Sequence, residues 1–404
     1  MTPITVIGLG EYPLGERALR ALRGAATVAG GRRHLDAVGG VLAPTTQRIA
    51  LGGDLRGALD ALAAGAGPVA VLASGDPGFF GILRILVERF GSDDLQVVPA
   101  VSSVASAFAR VCMSWDDALV VSAHGRNEST ALNCCRRFAK VAVLTSPTFG
   151  PIELGDALES YDRTLVIVEA IGSPAERVII ASPPLTGMGE FHDPNVVLCL
   201  DPNAEPAGKG VQWPPRSTAT RWALPDDAFE HRDGMVTKAE VRASVLARLG
   251  PGVGDLVWDI GAGSGSVGVE AARLGAAVIA VDSDAEQCTR IRRNAARHGV
   301  PLEVVHGPAP AALQRLPDPD AVFVGGGGAD LLPIVRAAAQ RRPRVVVVTL
   351  ATLERVGPVR EALVGAGLSV EGVQLSAARL VPLGAGTRLA AASPVFLLSG
   401  RQTP

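Results

Sequence analysis

Short apolar runs recur along nearly the whole chain, separated by stretches whose apolar residues fall at helical spacing. In the first half the runs are Ile4–Ile7, Val69–Ala73, Gln96–Val98, Ala118–Ser122, Val141–Leu144, Thr164–Glu169 and Val196–Leu200. Such runs alternating with helical segments predict repeated βαβ units. From Asp201 to about Arg232 the periodicity lapses into Asp-Pro-Asn-Ala-Glu-Pro-Ala-Gly-Lys-Gly and Trp213-Pro214-Pro215, so residues 206–232 read as a linker, with Trp213 and Trp222 packing it on a domain surface. The pattern resumes at Gly234 and runs through Leu256–Ile260, Ala277–Val281, Glu303–Val305, Ala321–Val324 and Arg344–Leu350. Two last runs, Ser369–Leu380 and Ser393–Leu398, are spaced as an antiparallel closing pair. A chain of 404 residues is too long for one ordinary core. Two α/β domains, 1–205 and 233–404, are therefore expected.

The chemistry concentrates where Leu256–Ile260 breaks into Gly261-Ala262-Gly263-Ser264-Gly265-Ser266-Val267-Gly268. Glycines there permit a tight turn and let a ligand approach the amides of the following helix. The next run ends in Asp282, whose carboxylate can accept from both hydroxyls of a ribose. Two readings compete. Gly263, Gly265 and Gly268 satisfy the G-x-G-x-x-G of dinucleotide sites, which makes a nicotinamide oxidoreductase the alternative function. Gly261, Gly263 and Gly265 satisfy the D-x-G-x-G-x-G of S-adenosyl-L-methionine-dependent methyltransferases, with Asp259 placed to meet the cationic amino acid end of the donor. The second is favoured, because the strand ends directly at Gly261. Upstream, Thr237 is expected to cap a helix with Glu240 in the capping-box position. In the first domain Ser74-Gly75-Asp76-Pro77 follows a buried strand, and Ser102 or Ser103 is placed to cap the helix after Pro99.

Composition removes several classes. The 48% hydrophobic content excludes a disordered chain, and a formal charge of -2 leaves no electrostatic footprint for nucleic acid. Five cysteines, with Cys134 and Cys135 adjacent and no C-x-x-C, support neither a disulfide framework nor a zinc site, and no metal is expected. No apolar run reaches about 18 residues, and the chain opens on a strand without a charged leader, so a cytoplasmic protein without a membrane partner is expected.

Ser74-Gly75-Asp76-Pro77 with Phe79, Pro99 to Ser103, Trp115-Asp116-Asp117 and Ser122-Ala123-His124-Gly125-Arg126 resemble the tetrapyrrole methylases of corrin synthesis, and more narrowly their precorrin-6Y C5-methylating branch. The resemblance implies a two-lobed N-terminal fold that binds S-adenosyl-L-methionine between its lobes, with Gly8, Gly10, Ser74, Gly75, Asp76, Ser102 and Ser103 at the donor. The chain departs from that family's G-x-G-P-G with Gly8-Leu9-Gly10-Glu11-Tyr12-Pro13. The second half resembles the C15-methylating, decarboxylating family of the same step through Thr237-Lys238-x-Glu240-Val241-Arg242, Trp258 to Val267, Gly307-x-Ala309-Pro310 and Pro319 to Gly326. There it implies a Rossmann-like seven-strand methyltransferase fold, with donor contacts from Thr237, Asp259, Gly261, Ala262, Gly263, Ser264, Gly265, Asp282, Gly307 and Ala309. Together the resemblances imply methylation of precorrin-6Y at C5 and C15 with loss of the C12 acetate carboxyl to give precorrin-8, or the same chemistry on the cobalt-containing intermediate. A homo-oligomer is expected. No catalytic side chain is fixed by this reading: Glu240, Arg242 and His124 are the candidates, and Arg242 and Arg379 are the arginines singled out for substrate carboxylates.

Overall fold

The computed structural model describes residues 3–123, 128–204, 222–232 and 234–402. His124 and Arg126, singled out above, and most of the expected linker, including Trp213, lie outside the described residues. The chain divides into two units, 1–126 with 140–213, and 127–139 with 214–404.

The first unit carries two sheets. One contains β1 (Ile4–Leu9), β2 (Thr27–Gly30), β3 (Gln47–Ala50), β4 (Val69–Ser74) and β5 (Leu95–Val98), in the order β3-β2-β4-β1-β5 and parallel throughout. Val6, Ile7, Val28, Ala29, Ala70 and Val71 are wholly buried, because helices lie on both faces of this sheet and leave no side for polar alternation. The second sheet contains β6 (Leu119–Ser122), β7 (Lys140–Leu144), β8 (Thr164–Glu169), β9 (Arg177–Ala181) and β10 (Asn195–Leu200), ordered β6-β7-β10-β8-β9 with β10 antiparallel to both neighbours. All seven expected strands are present. The additional strands β2, β3 and β9 are short, and the last two run along sheet edges.

The second unit is built on β11 (Leu256–Ile260), β12 (Ala277–Asp282), β13 (Glu303–His306), β14 (Ala321–Val324), β15 (Val345–Leu350), β16 (Ser369–Leu375), the hairpin β17 (Ala378–Leu383) with β18 (Gly386–Ala391), and β19 (Val395–Arg401). Seven strands form one sheet in the order β13-β12-β11-β14-β15-β19-β16, with β19 antiparallel between β15 and β16. That is the seven-strand methyltransferase arrangement with the expected closing pair. One expectation is corrected: the run Ser369–Leu380 is not one strand. It breaks at Ser376-Ala377, and its end pairs with β18 in a separate two-stranded sheet. The segment 127–139 contributes the helix Glu128–Arg137, in which Asn133 Nδ2 donates to the Gly254 carbonyl at 3.1 Å and Arg137 Nε to that of Ala272 at 2.7 Å.

Candidate active sites

In the second unit the site grows from the end of β11. Gly261, Gly263 and Gly265 have φ of +66°, +56° and +71°, a region in which an L side chain costs roughly 1–2 kcal/mol. At two of them space forbids a side chain as well: a Cβ on Gly261 would lie 2.9 Å from the Gly326 backbone, and one on Gly265 2.9 Å from Ile291 Cγ2. The glycines after β14 thus serve a close approach of two loops. The turn delivers the chain into the helix Ser266–Arg273, whose first amides have no partner within the helix.

Asp282 closes the other side. Its Oδ2 accepts from Gly263 N–H at 2.8 Å and its Oδ1 from Asp284 N–H at 3.0 Å, so the carboxylate is fixed at the loop while each oxygen keeps a lone pair for a hydroxyl donor. Gly307 N–H donates to the Asp282 carbonyl at 2.9 Å, which brings the Gly307–Ala309 turn alongside. Asn294 Nδ2 donates to the carbonyls of Ser264, at 2.8 Å, and Glu230, at 2.9 Å, tying the segment before Thr237 to the loop. Asp259 is 1% exposed; Oδ2 accepts from Gly268 N–H at 2.9 Å, and Oδ1 is buried without a partner. Burial, with a smaller push from Asp282, raises the Asp259 pKa to about 7 against the opposing amide bond. Three left-handed glycines, a fixed carboxylate at the neighbouring strand end and one orphaned carboxylate oxygen fit the cationic, ribose-bearing donor. Gly261, Gly263, Gly265, Asp259 and Asp282 would hold it.

Two expectations around Thr237 are corrected. The helix is Ala239–Leu249 with Lys238 at its N-cap, and Ala239 N–H donates at 2.9 Å to Asp226 Oδ1 from the preceding segment, in place of a Thr237 cap. Arg242 cannot take a substrate carboxylate or act catalytically. It is fully buried: Nε donates to Glu270 Oε1 at 2.6 Å, the other nitrogens donate to the carbonyls of Thr237 and Leu224, and the guanidinium lies 4.7 Å from the Phe229 ring centre. Glu270 also accepts from the amides of Ala223 and Leu224. Glu240 and Arg379 do meet, at 3.2 Å, and Arg379 also donates to Asp226 at 2.8 Å. They line a cavity of about 410 Å³ with Lys238, Ser244 and the β17–β18 hairpin. The Glu240 carboxyl is held below its ordinary range by a backbone amide and by Arg379, so it is ionised at neutral pH.

In the first unit the expected residues gather at the C-terminal edge of the parallel sheet. A Cβ on Gly8 would lie 2.1 Å from the Gly75 carbonyl oxygen and 2.6 Å from Ala100 N, and one on Gly10 3.2 Å from Ala100 Cβ. Gly75, at φ +56°, donates its N–H to the Leu9 carbonyl at 2.7 Å. Asp76 Oδ1 accepts from Gly78 N–H at 2.8 Å, and Ser102 caps Ser103–Arg110 by accepting from Ala105 N–H.

The departure at Glu11 has its own partners. Glu11 accepts from Ser106 Oγ at 2.8 Å and pairs with Arg110, which also holds Glu176 at 2.6 Å; Glu176 in turn accepts from Gly172 N–H at 2.7 Å. Arg110 draws both carboxyls below their usual range. The loop after β1 is therefore tied by charge to the turn after β8, in place of a proline's stiffness. Arg33 and His34, which are not among the expected site residues, also reach this edge. Arg33 Nη2 donates to Ser74 Oγ at 2.8 Å, and His34 Nε2 lies 3.0 Å from the same oxygen. The signal available was Arg32-Arg33-His34, one glycine after the strand Thr27–Gly30.

Among the described residues, no group of His, Cys, Asp and Glu is placed to hold a metal ion, and no helix is long and apolar enough to cross a membrane. Two family models match the chain: tetrapyrrole (corrin/porphyrin) methylases over residues 4–183, and the precorrin methyltransferase domain over 227–401. A Sinorhizobium precorrin-6Y C(5,15)-methyltransferase [decarboxylating] is 36% identical, the match covering 97% of this chain and 94% of the relative. The protein of that name from Mycobacterium tuberculosis is 32% identical over 80% of each chain. A Salmonella typhimurium cobalt-precorrin-7 C(5)-methyltransferase is 33% identical, the match covering 49% of this chain and 98% of the relative.

Proposed function

The chain belongs to the family of decarboxylating precorrin-6Y C5,15-methyltransferases, and on that premise we propose that its domains divide the reaction: 1–205 methylates the macrocycle at C5, while 233–404 methylates C15 and releases the C12 acetate carboxyl as carbon dioxide, giving precorrin-8. S-adenosyl-L-methionine is the donor in both, supplying a methyl group already activated on a sulfonium. The observation that carries the reading is the pairing of three left-handed glycines after β11 with Asp282, fixed on Gly263 N–H at the end of β12.

The protein's own work is placement. The electron-rich macrocycle supplies the carbon nucleophile, and holding it in line with the donor is worth several kcal/mol of barrier. The conjugated ring also accepts the electron pair left by carbon dioxide. Gly261 to Gly265 and Asp282 fix the donor's position in the second unit; Gly8, Gly10, Gly75 and the Ser102 turn do so in the first. The nicotinamide alternative is not favoured. A dinucleotide fold needs a second parallel mononucleotide half, whereas this sheet closes with β19 antiparallel between β15 and β16. Relatives named for precorrin-6Y over most of their length support the metal-free substrate over the cobalt form.

Assembly with further copies belongs to the same proposal and is supported by the β17–β18 hairpin, which exposes Leu380, Leu383 and Leu389. A cytoplasmic site of action is supported by five cysteines that form no disulfide, four of them buried.

The test is calorimetric titration of the full chain with S-adenosylhomocysteine. Two equivalents are expected, and Asp282→Ala should weaken one of them roughly ten- to hundredfold, the loss of a charge-assisted hydrogen bond. Binding unchanged by Asp282→Ala would remove the ribose assignment, and a single equivalent would remove the second donor site.

A further inference from the structure

We propose that the C-terminal edge of β1, β2 and β4 is the macrocycle platform of the first unit, with Phe80 and Tyr12 against the ring face and Arg33 gripping one of its peripheral carboxylates. This rests on the assignment of C5 methylation to that unit. The three strands are neighbours in a parallel sheet, so the loops that follow them emerge side by side at one edge, the edge that also holds Gly8, Gly75 and Ser74.

Each loop presents a group to solvent. Tyr12, after β1, is 65% exposed, and Phe80, after β4, is 58% exposed. Phe80 adopts φ +53°, a conformation an aromatic residue rarely takes. The turn enforces it: Leu83 N–H donates to the Pro77 carbonyl at 3.2 Å, and a Cβ on Gly81 would lie 2.4 Å from the Pro77 carbonyl oxygen. Phe79 packs against the core and meets Phe80 edge to face at 5.1 Å, which stiffens it. A strained backbone that holds an aromatic ring out into water is a cost expected at a binding surface. A flat conjugated ring offers the stacking partner that recovers it.

After β2 come Arg32 and Arg33, both exposed, and among the described residues neither pairs with a carboxylate. Arg33 is nevertheless held. Its Nη2 donates to Ser74 Oγ at 2.8 Å and its Nε to His34 Nε2 at 3.3 Å, leaving three of the five guanidinium N–H groups for a ligand. The His34 ring accepts at Nε2, and burial together with the Arg33 charge keeps its pKa low, so it remains neutral and does not repel the guanidinium. A guanidinium fixed in this way and lacking an acidic partner suits a carboxylate, which can take two parallel hydrogen bonds from it. Aromatic faces flanked by a fixed arginine match a flat ring edged with acetate and propionate arms.

The experiment follows C5 and C15 products of the full chain by mass spectrometry over a range of macrocycle concentrations. Arg33→Met should raise KM for the C5 step roughly ten- to hundredfold, with kcat and the C15 step unchanged. Arg33→Lys should recover part of the loss. Phe80→Gly relieves the backbone strain, so it should raise the same KM without lowering the thermal midpoint, which a purely structural Phe80 would not do. An unchanged C5 KM in Arg33→Met and Phe80→Gly, or an equal fall in both steps, overturns the proposal. A wild-type chain that makes no C5 product would refute the division of labour. The platform would then be judged by spectroscopic titration with a corrinoid polycarboxylic acid and its methyl ester: Arg33→Met must weaken one binding event of the acid alone, and equal binding by wild type and variant overturns it.

Discussion

Asp259 is buried at the end of β11, where its Oδ2 accepts from the Gly268 amide and its Oδ1 has no partner. An acid ending an apolar run before a glycine turn is legible, but its burial against Gly268 and the orphaned Oδ1 depend on how closely the helix Ser266–Arg273 approaches β11. A Cβ on Gly268 would lie 2.9 Å from Asp259 Oδ2, so the glycine is needed for that approach. The sign of the resulting pH dependence is fixed. The folded-state pKa of about 7 lies above the ordinary 3.8, so the folded protein holds a proton that the unfolded chain has released. Stability from this group is present below pH 3.8 and is lost as pH rises toward 7, by on the order of 4 kcal/mol in full. Asp259→Asn should flatten that part of the pH–stability curve in urea melts of the ligand-free protein. A wild-type curve that rises steadily from pH 4 to 7 and is unaltered by the substitution would show that Asp259 is ionised throughout. Arg242 carries the opposite lesson: an arginine within a motif that resembles a binding family is spent wholly on Glu270, Thr237 and Leu224, partners as close as five and as far as 28 residues away.

At the scale of elements, long buried strands were legible because their apolar runs are unbroken: Thr164–Glu169 is observed within the bounds its pattern indicates, and Ile4–Ile7 and Val69–Ala73 gain only one or two residues. The edge strands Gln47–Ala50 and Arg177–Ala181 have largely solvated side chains and left no such signature. The cap of Ala239–Leu249 was illegible for a different reason, since its acceptor, Asp226, sits 13 residues upstream in a segment without periodicity. That segment is held by one buried ion pair: Glu270 binds Arg242 and the amides of Ala223 and Leu224, and both charged side chains are wholly excluded from water. Removing one partner strands the other, a loss of about 3–5 kcal/mol. Glu270→Gln should therefore lower the unfolding transition of the second unit in denaturant melts by about that amount. A change under 1 kcal/mol would mean that water reaches Arg242.

For the whole molecule, the lapse of periodicity after Asp201 announces two units, as observed, and the motifs announce the two glycine turns on which the proposed donor sites rest. The Glu11–Arg110–Glu176 tie is not announced, because its members lie 66 to 99 residues apart in separate elements and nothing local marks them as partners. It gives the altered loop after β1 a physical anchor, consistent with a working first unit. In the division of labour proposed above, each unit performs its own methyl transfer and carbon dioxide leaves only through the second. The most direct measurement is mass spectrometry of the product made by the full chain with Gly75→Val, which places a branched side chain at φ +56° against the Val101 carbonyl and Ser102 in the first unit alone. The product should have lost carbon dioxide and gained a single methyl, at C15, while Gly263→Asp should leave the acetate carboxyl in place. Two methyl groups from the Gly75→Val chain, or a carboxyl retained by it, would contradict the account.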